Sequence, residues 1–171
     1  MCYDQAMNTD TVTTQSISLA FTASSTMSDS LQRVLVDLIA LERVGKQIHW
    51  NVIGTNFRDV HLNLDEVVGI ATAGTDEVAE RMRAVKAVPD GRPATVASTT
   101  TVPTAPEGEV LTSDGIAYIV SAIEAVVATL RGVHDDVDEE DATSGGILED
   151  LIGQLEQQAW FLSSEIRQPK Q

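Results

Sequence analysis

The feature that most limits how this chain can fold is one proline-studded interruption. Four of its five prolines, Pro89, Pro93, Pro103 and Pro106, fall between Ala87 and Leu111, together with the run Thr99-Thr100-Thr101. Proline lacks a backbone donor and clashes with the preceding helical turn, so this stretch cannot be one regular element. On both sides of it the apolar residues recur at helical spacing. Leu31, Val34, Leu35, Leu38, Leu41, Ile48 and Val52 predict a helix over 28–53, with Ser28 as N-cap and Gly54 as stop. Val60, Leu64, Val67, Val68, Val78 and Met82 predict a second over 56–86. Beyond the interruption, Ser113 opens a third over 113–140, and a fourth follows Asp141 over 144–167. Nothing alternates with period two, so no sheet is expected.

Four helices, joined by short turns within each pair and by a connection of about 25 residues in the middle, predict an all-α four-helix bundle with one long crossover between the second and third helices. The crossover has room for a short helix. Residues 1–26 are polar and aperiodic and read as a flexible arm, leaving 27–168 as one bundle domain. The lone cysteine, Cys2, excludes a disulfide framework or a cysteine-based zinc site. No basic, apolar leader and no long uninterrupted apolar run is seen, so a cytoplasmic location is expected. With 26 acidic against 11 basic residues the formal charge is -15, which disfavours nucleic acid and favours cations.

The second helix carries the chemistry. His61 and Asp65 are four residues apart, as are Asp76 and Glu80, so each pair can share a metal across adjacent turns. At ~100° per residue the four positions fall at roughly 0°, 40°, 60° and 100°, one narrow stripe. The two pairs nevertheless lie ~22 Å apart along the axis and cannot meet within one helix. Two copies packed antiparallel about a two-fold axis near residues 70 and 71 bring His61 and Asp65 of one chain to Asp76 and Glu80 of the other. Gly69, Ala71, Thr72, Ala73 and Gly74 at that crossing are small enough for close approach. His49 can join His61 across the Gly54–Asn56 turn. Two imidazoles with three carboxylates suit ferrous iron first, then manganese or zinc, better than calcium. No Glu-x-x-His pair precedes any histidine, so a di-iron centre inside one bundle is not expected.

The segment from Lys46 through His49-Trp50, Gly54 and Phe57 to His61, followed by Asp65 and by Asp76-Glu77-Val78-Ala79-Glu80-Arg81, resembles the Dps family, the miniature ferritins. The resemblance runs from about residue 28 to 167 and includes Trp160-Phe161. It implies a hollow homododecamer of 23 symmetry that oxidises Fe(II) and stores ferric mineral, giving protection under oxidative stress. The ferroxidase centre it implies takes His49, His61 and Asp65 from one subunit and Asp76 and Glu80 from its neighbour. Trp50 stands close by to intercept stray radicals, and hydrogen peroxide is the usual oxidant. The acidic run Asp135 to Asp141 matches the place of the family's three-fold iron channel, with Asp141 as the candidate pore residue. Gly145 and Gly146 stand where relatives often carry an aspartate.

Residues 1–30 contain no Lys or Arg, and the C-terminal tail offers only Arg167 and Lys170, so DNA binding is expected to be weak or absent. A carboxylate–imidazole metal site can also activate water, which makes a metal-dependent amidohydrolase acting on N-acyl amino acids an alternative on the same cage. A nucleoid-binding structural protein is a third reading. His134 reads as a surface residue and Trp160 as core packing.

Overall fold

A computed structural model describes residues 21–168 of the chain. Of the expected arm, residues 1–20 lie outside the described residues, and the helix begins inside the remainder. The elements run α1 (Ser25–Asn51), β1 (Val52–Ile53), α2 (Phe57–Ala84), α3 (Pro93–Thr99), β2 (Val110–Leu111), α4 (Thr112–Glu140) and α5 (Ala142–Ile166). The start of α1 is capped by Ser24, not Ser28: Ser24 Oγ accepts from Met27 N at 3.1 Å. Ser24 wins because its N–H and hydroxyl both donate to Glu140, each at 2.6 Å, while Met27 is buried behind it. Ser28 instead donates its hydroxyl to Ser24 O.

The long helices α1, α2, α4 and α5 form the expected all-α bundle, α1 packing along α2 and α4, and α5 along α4 and α2. Their apolar stripes meet in one core that includes Leu38, Leu41, Ile48, Leu64, Ile119, Ile123, Leu130 and Leu155. An 18-residue window of α4 has a mean hydropathy of 1.7, enough to cross a membrane by length and composition alone. Its residues Ile116, Ile119, Ile123, Val126 and Leu130 are spent on that core.

The crossover climbs beside α1 in parallel register. Gln32 pairs its amide with the backbone of Asp90 through two 2.8 Å bonds. Farther along, Asp37 takes four donors from Thr100, Thr101 and Thr129, and at the top β1 pairs with β2, Val52 with Val110 and Ile53 with Leu111. That two-residue parallel bridge overturns the expectation of no sheet. It is too short to show alternation, and its partner is a loop that the bundle brings alongside. The short helix α3 occupies the room left for it, with Pro93 in its first turn.

Three glycines are needed for close packing: Gly45, where a Cβ would stand 2.8 Å from Val68, and Gly74 and Gly145. A Cβ on Gly74 would stand 2.6 Å from Leu151 and 3.4 Å from Leu38, so this residue faces α5 and α1. The expected role of Gly74 at an outer helix crossing is thereby corrected. Gly69 does face open space. A Cβ on Gly145 would lie 2.9 Å from the backbone Cα of Asp138, which lets α4 and α5 close on a turn of one residue. Because the obstructing atoms include main chain, Gly145→Ala is expected to lower stability by about 1–3 kcal/mol, read as a lower denaturant midpoint at unchanged slope. Gly146→Ala, with nothing within 4 Å of its Cβ, serves as the neutral control.

Candidate metal centre

The α1–α2 turn folds back on two residues of left-handed or near-left-handed backbone, Gly54 (φ 114°) and Asn56 (φ 59°). This sets the end of α1 against the start of α2. His49 and His61 then stack, ring centroids 3.7 Å apart and planes inclined by 26°. Each imidazole bonds the other residue's backbone: His49 Nδ1 to His61 O at 3.1 Å and His61 Nδ1 to His49 O at 3.0 Å. A carbonyl oxygen only accepts, so both Nδ1 atoms carry the proton and both Nε2 atoms present a lone pair. Main chain thus orients both rings and leaves Nε2 as the nitrogen through which each would bind a metal.

Asp65, one turn after His61, completes the set. His49, His61 and Asp65 each place one ligand atom within 4.8 Å of the other two, and no other group of His, Cys, Asp or Glu among the described residues meets that condition. Lys46 donates to Asp65 Oδ1 at 2.5 Å, and His49 Nδ1 lies 3.3 Å from the same oxygen. The bond from the Lys46 ammonium holds the Asp65 carboxyl below the usual carboxylate range, against an opposing effect of burial. Lys46 lay within the sequence motif, yet its role was not legible there, because its reach to Asp65 depends on the α1–α2 turn.

Asp76 and Glu80 are exposed on α2. Because α2 is unbroken from Phe57 to Ala84, they stay ~22 Å along its axis from His61 and Asp65 and are not brought to them within the chain. Between the pairs the outward face carries Gly69, Thr72 and Ala73, all exposed. Trp50 follows His49 but points outward, 69% exposed. Trp160, expected in the core, is 61% exposed and tilts against Phe161 at 4.9 Å, so that expectation is corrected. An α5 with Leu155 and Leu162 already facing the core turns Trp160 away. His134 bonds its neighbour Asp135 at 3.0 Å.

Asp141 is engaged inside the chain. It is the N-cap of α5, accepting from Ser144 N at 3.0 Å, and its Oδ2 also takes Arg81 Nη2 at 2.6 Å. Burial alone raises its pKa, but the bonds from Ser144 and Arg81 outweigh it and hold the carboxyl below its ordinary value. The acidic side chains of that run that stay exposed without a bond across the fold are Asp135, Asp136, Asp138 and Glu139, while Glu140 is taken by Ser24.

Residues 28–171 match the ferritin-like domain family. A DNA protection during starvation protein from Deinococcus radiodurans is 33% identical over 77% of this chain, and the match spans 54% of that relative's length. Among solved structures, Dps from Microbacterium arborescens in its high iron form is 34% identical with a TM-score of 0.76. It covers 86% of this chain, and this chain covers 99% of it. Dps92 from Deinococcus radiodurans aligns with a TM-score of 0.81 at 28% identity, over 84% of this chain and 87% of that one.

Two outcomes follow from the geometry. Removing the competing ammonium in Lys46→Met is expected to tighten Zn(II) or Co(II) binding by about tenfold or more, read by anaerobic titration; unchanged affinity means Lys46 does not compete. For Asp141, a depressed folded-state pKa means stability that is present above about pH 4 and is lost as pH falls through the folded value. Asp141→Asn keeps a capping oxygen and removes the charge, so it is expected to cost about 1–3 kcal/mol at neutral pH. That gap should narrow steadily in melts taken below about pH 4.

Proposed function

This chain belongs to the Dps family of ferritin-like proteins, and on that premise we propose that it oxidises Fe(II) at centres shared between two copies and stores the product as ferric mineral inside a hollow homododecamer. The observation that carries the reading is the split donor set. His49, His61 and Asp65 converge at one end of α2, while Asp76 and Glu80 stand exposed at the other end of the same stripe. An antiparallel two-fold pairing of α2 completes the set twice over, once at each end.

The completed centre holds Fe(II) by two imidazole Nε2 atoms and three carboxylates. Hard oxygen donors favour Fe(III) and so lower the potential at which the bound ion gives up its electron. With hydrogen peroxide as oxidant, two Fe(II) each supply one electron, the O–O bond breaks, and both oxygens leave at the water or oxide level. Trp50, exposed beside His49, is placed where its indole can be oxidised in place of other targets if a one-electron product escapes. The ferric ions hydrolyse, release protons and build oxyhydroxide in the cavity, which removes iron and peroxide together from the cytoplasm.

Exposed carboxylates from Asp135 to Glu139 attract Fe(II) toward the α4–α5 turn. In the pore reading Asp141 acts through its neighbours, since Arg81 and Ser144 already occupy its carboxylate. Charge of -15 with no basic residue among the first 30 leaves this protein a poor ligand for DNA at physiological salt.

A complementation experiment tests the shared centre. His61→Ala alone and Asp76→Ala/Glu80→Ala alone are each expected to lose peroxide-driven Fe(II) oxidation. Co-assembled in equal amounts, half the dimers are mixed and each mixed dimer holds one intact centre, so activity returns to about one quarter of wild type. A mixture that assembles yet stays inactive shows that the two halves do not combine across chains. Full activity in either single variant removes the α2 stripe from the reaction.

A further inference from the structure

A cleft of about 410 Å³ opens between α1, the end of α3 and the middle of α4, away from the imidazole–carboxylate face. Arg33, Asp37, Thr99, Thr101, Thr129 and Gly132 line it. Asp37 is 1% exposed. Its Oδ1 accepts from Thr100 Oγ1 at 2.8 Å and Thr101 N at 2.7 Å, and its Oδ2 from Thr101 Oγ1 at 2.7 Å and Thr129 Oγ1 at 2.6 Å. A carboxylate can only accept, so the hydroxyl protons of Thr101 and Thr129 are both committed to it. The two hydroxyl oxygens lie 3.3 Å apart with no proton left to place between them. Thr99 likewise gives its hydroxyl proton to Thr95 O at 2.8 Å. The hydroxyls of the cleft therefore present lone pairs, with a buried negative charge directly behind two of them.

The opposite polarity stands one helical turn away. Arg33 lines the same cleft, and its guanidinium makes one long bond, 3.4 Å, to Ser30 Oγ. A guanidinium has five donors, so the Ser30 bond leaves most of them available to a ligand at the cleft's exposed edge. A simple cation is drawn to the threonine oxygens but repelled by Arg33. An oxyanion is drawn to Arg33 but meets only lone pairs on the threonines. A molecule that carries an ammonium and a carboxylate a few ångströms apart satisfies both walls.

We propose that this cleft binds a small α-amino acid as its zwitterion, the ammonium donating to Thr101 and Thr129 in the field of Asp37 and the carboxylate paired with Arg33. Its volume falls within the range of small-molecule pockets. The small residues Ala125, Ala128 and Gly132 on α4 leave space for the ligand's side chain. The site is independent of the metal centre and of the reading drawn from it.

The test is calorimetric titration of the intact protein with L-alanine and L-glutamine, beside propionate and ethylamine as single-charge analogues. Two variants accompany it. Gly132→Leu sends a side chain into the cleft from a lining position where a Cβ meets nothing within 4 Å, and its thermal midpoint checks that the fold is kept. Arg33→Ala removes an exposed side chain. Saturable binding of an amino acid is expected, weakened at least about tenfold in either variant and in either analogue, as loss of one charged hydrogen-bonding partner dictates. Thermal midpoints of the variants should match wild type. Absence of binding by both amino acids, equal binding of propionate, or undiminished binding in Gly132→Leu overturns the proposal.

Discussion

The crossed bonding of His49 and His61 is the contact on which the chemistry of this fold depends. Each ring reads the other helix's main chain, so the end of α1 and the start of α2 cannot slide or rotate without breaking two bonds and a stack. The same bonds fix both tautomers. A single pair of contacts thus sets the helix–helix geometry and brings both rings beside Asp65. Gly54 and Asn56 supply the positive-φ backbone that makes this return possible.

The crossover is held by a different kind of anchor. Asp37 sits in the middle of α1, buried, and its four donors come from the crossover and from α4. An ionised group in such a place is costly unless every lone pair is satisfied, and here the threonine run satisfies them. Gln32 serves the same end lower down by bonding Asp90 as a backbone would. The long connection is therefore attached to α1 at two heights and to β1 just beyond it, which is how a proline-rich segment without a core of its own keeps one path from the foot of the bundle to the top. The same arrangement leaves hydroxyl oxygens without protons at the cleft.

Much of this was legible from residue spacing. The four apolar stripes and the cluster of prolines specify a bundle with a single crossover, and of the four-residue spacings on α2 the fold gathers His61 and Asp65 with His49 into a candidate metal site. What spacing cannot show is which way a small residue faces. Gly69 and Gly74 look equivalent in the sequence, yet Gly74 turns inward to Leu151 while Gly69 looks out. Trp160 fits a helical core pattern and is exposed, because the sides of α5 that reach the core are already taken by Leu155 and Leu162. Long-range polar bonds, such as Arg81 to Asp141 and Lys46 to Asp65, were invisible for the same reason: they join residues that only the fold brings together.

Lys46 also bears on why the proposed centre would draw on a second chain. Within one chain the charged groups that converge beside the two imidazoles are one carboxylate and one ammonium, whose charges cancel. A divalent cation gains little by leaving water for such a place, since Asp65 is already satisfied by Lys46. Bringing Asp76 and Glu80 from another copy adds two negative charges and turns the sum to minus two. That total matches one divalent ion and allows the ammonium to be displaced. In this arrangement metal affinity and pairing of α2 helices support each other: the half-site is poorly matched to a cation alone, and the carboxylate stripe at the far end of α2 repels its like unless something positive lies across from it.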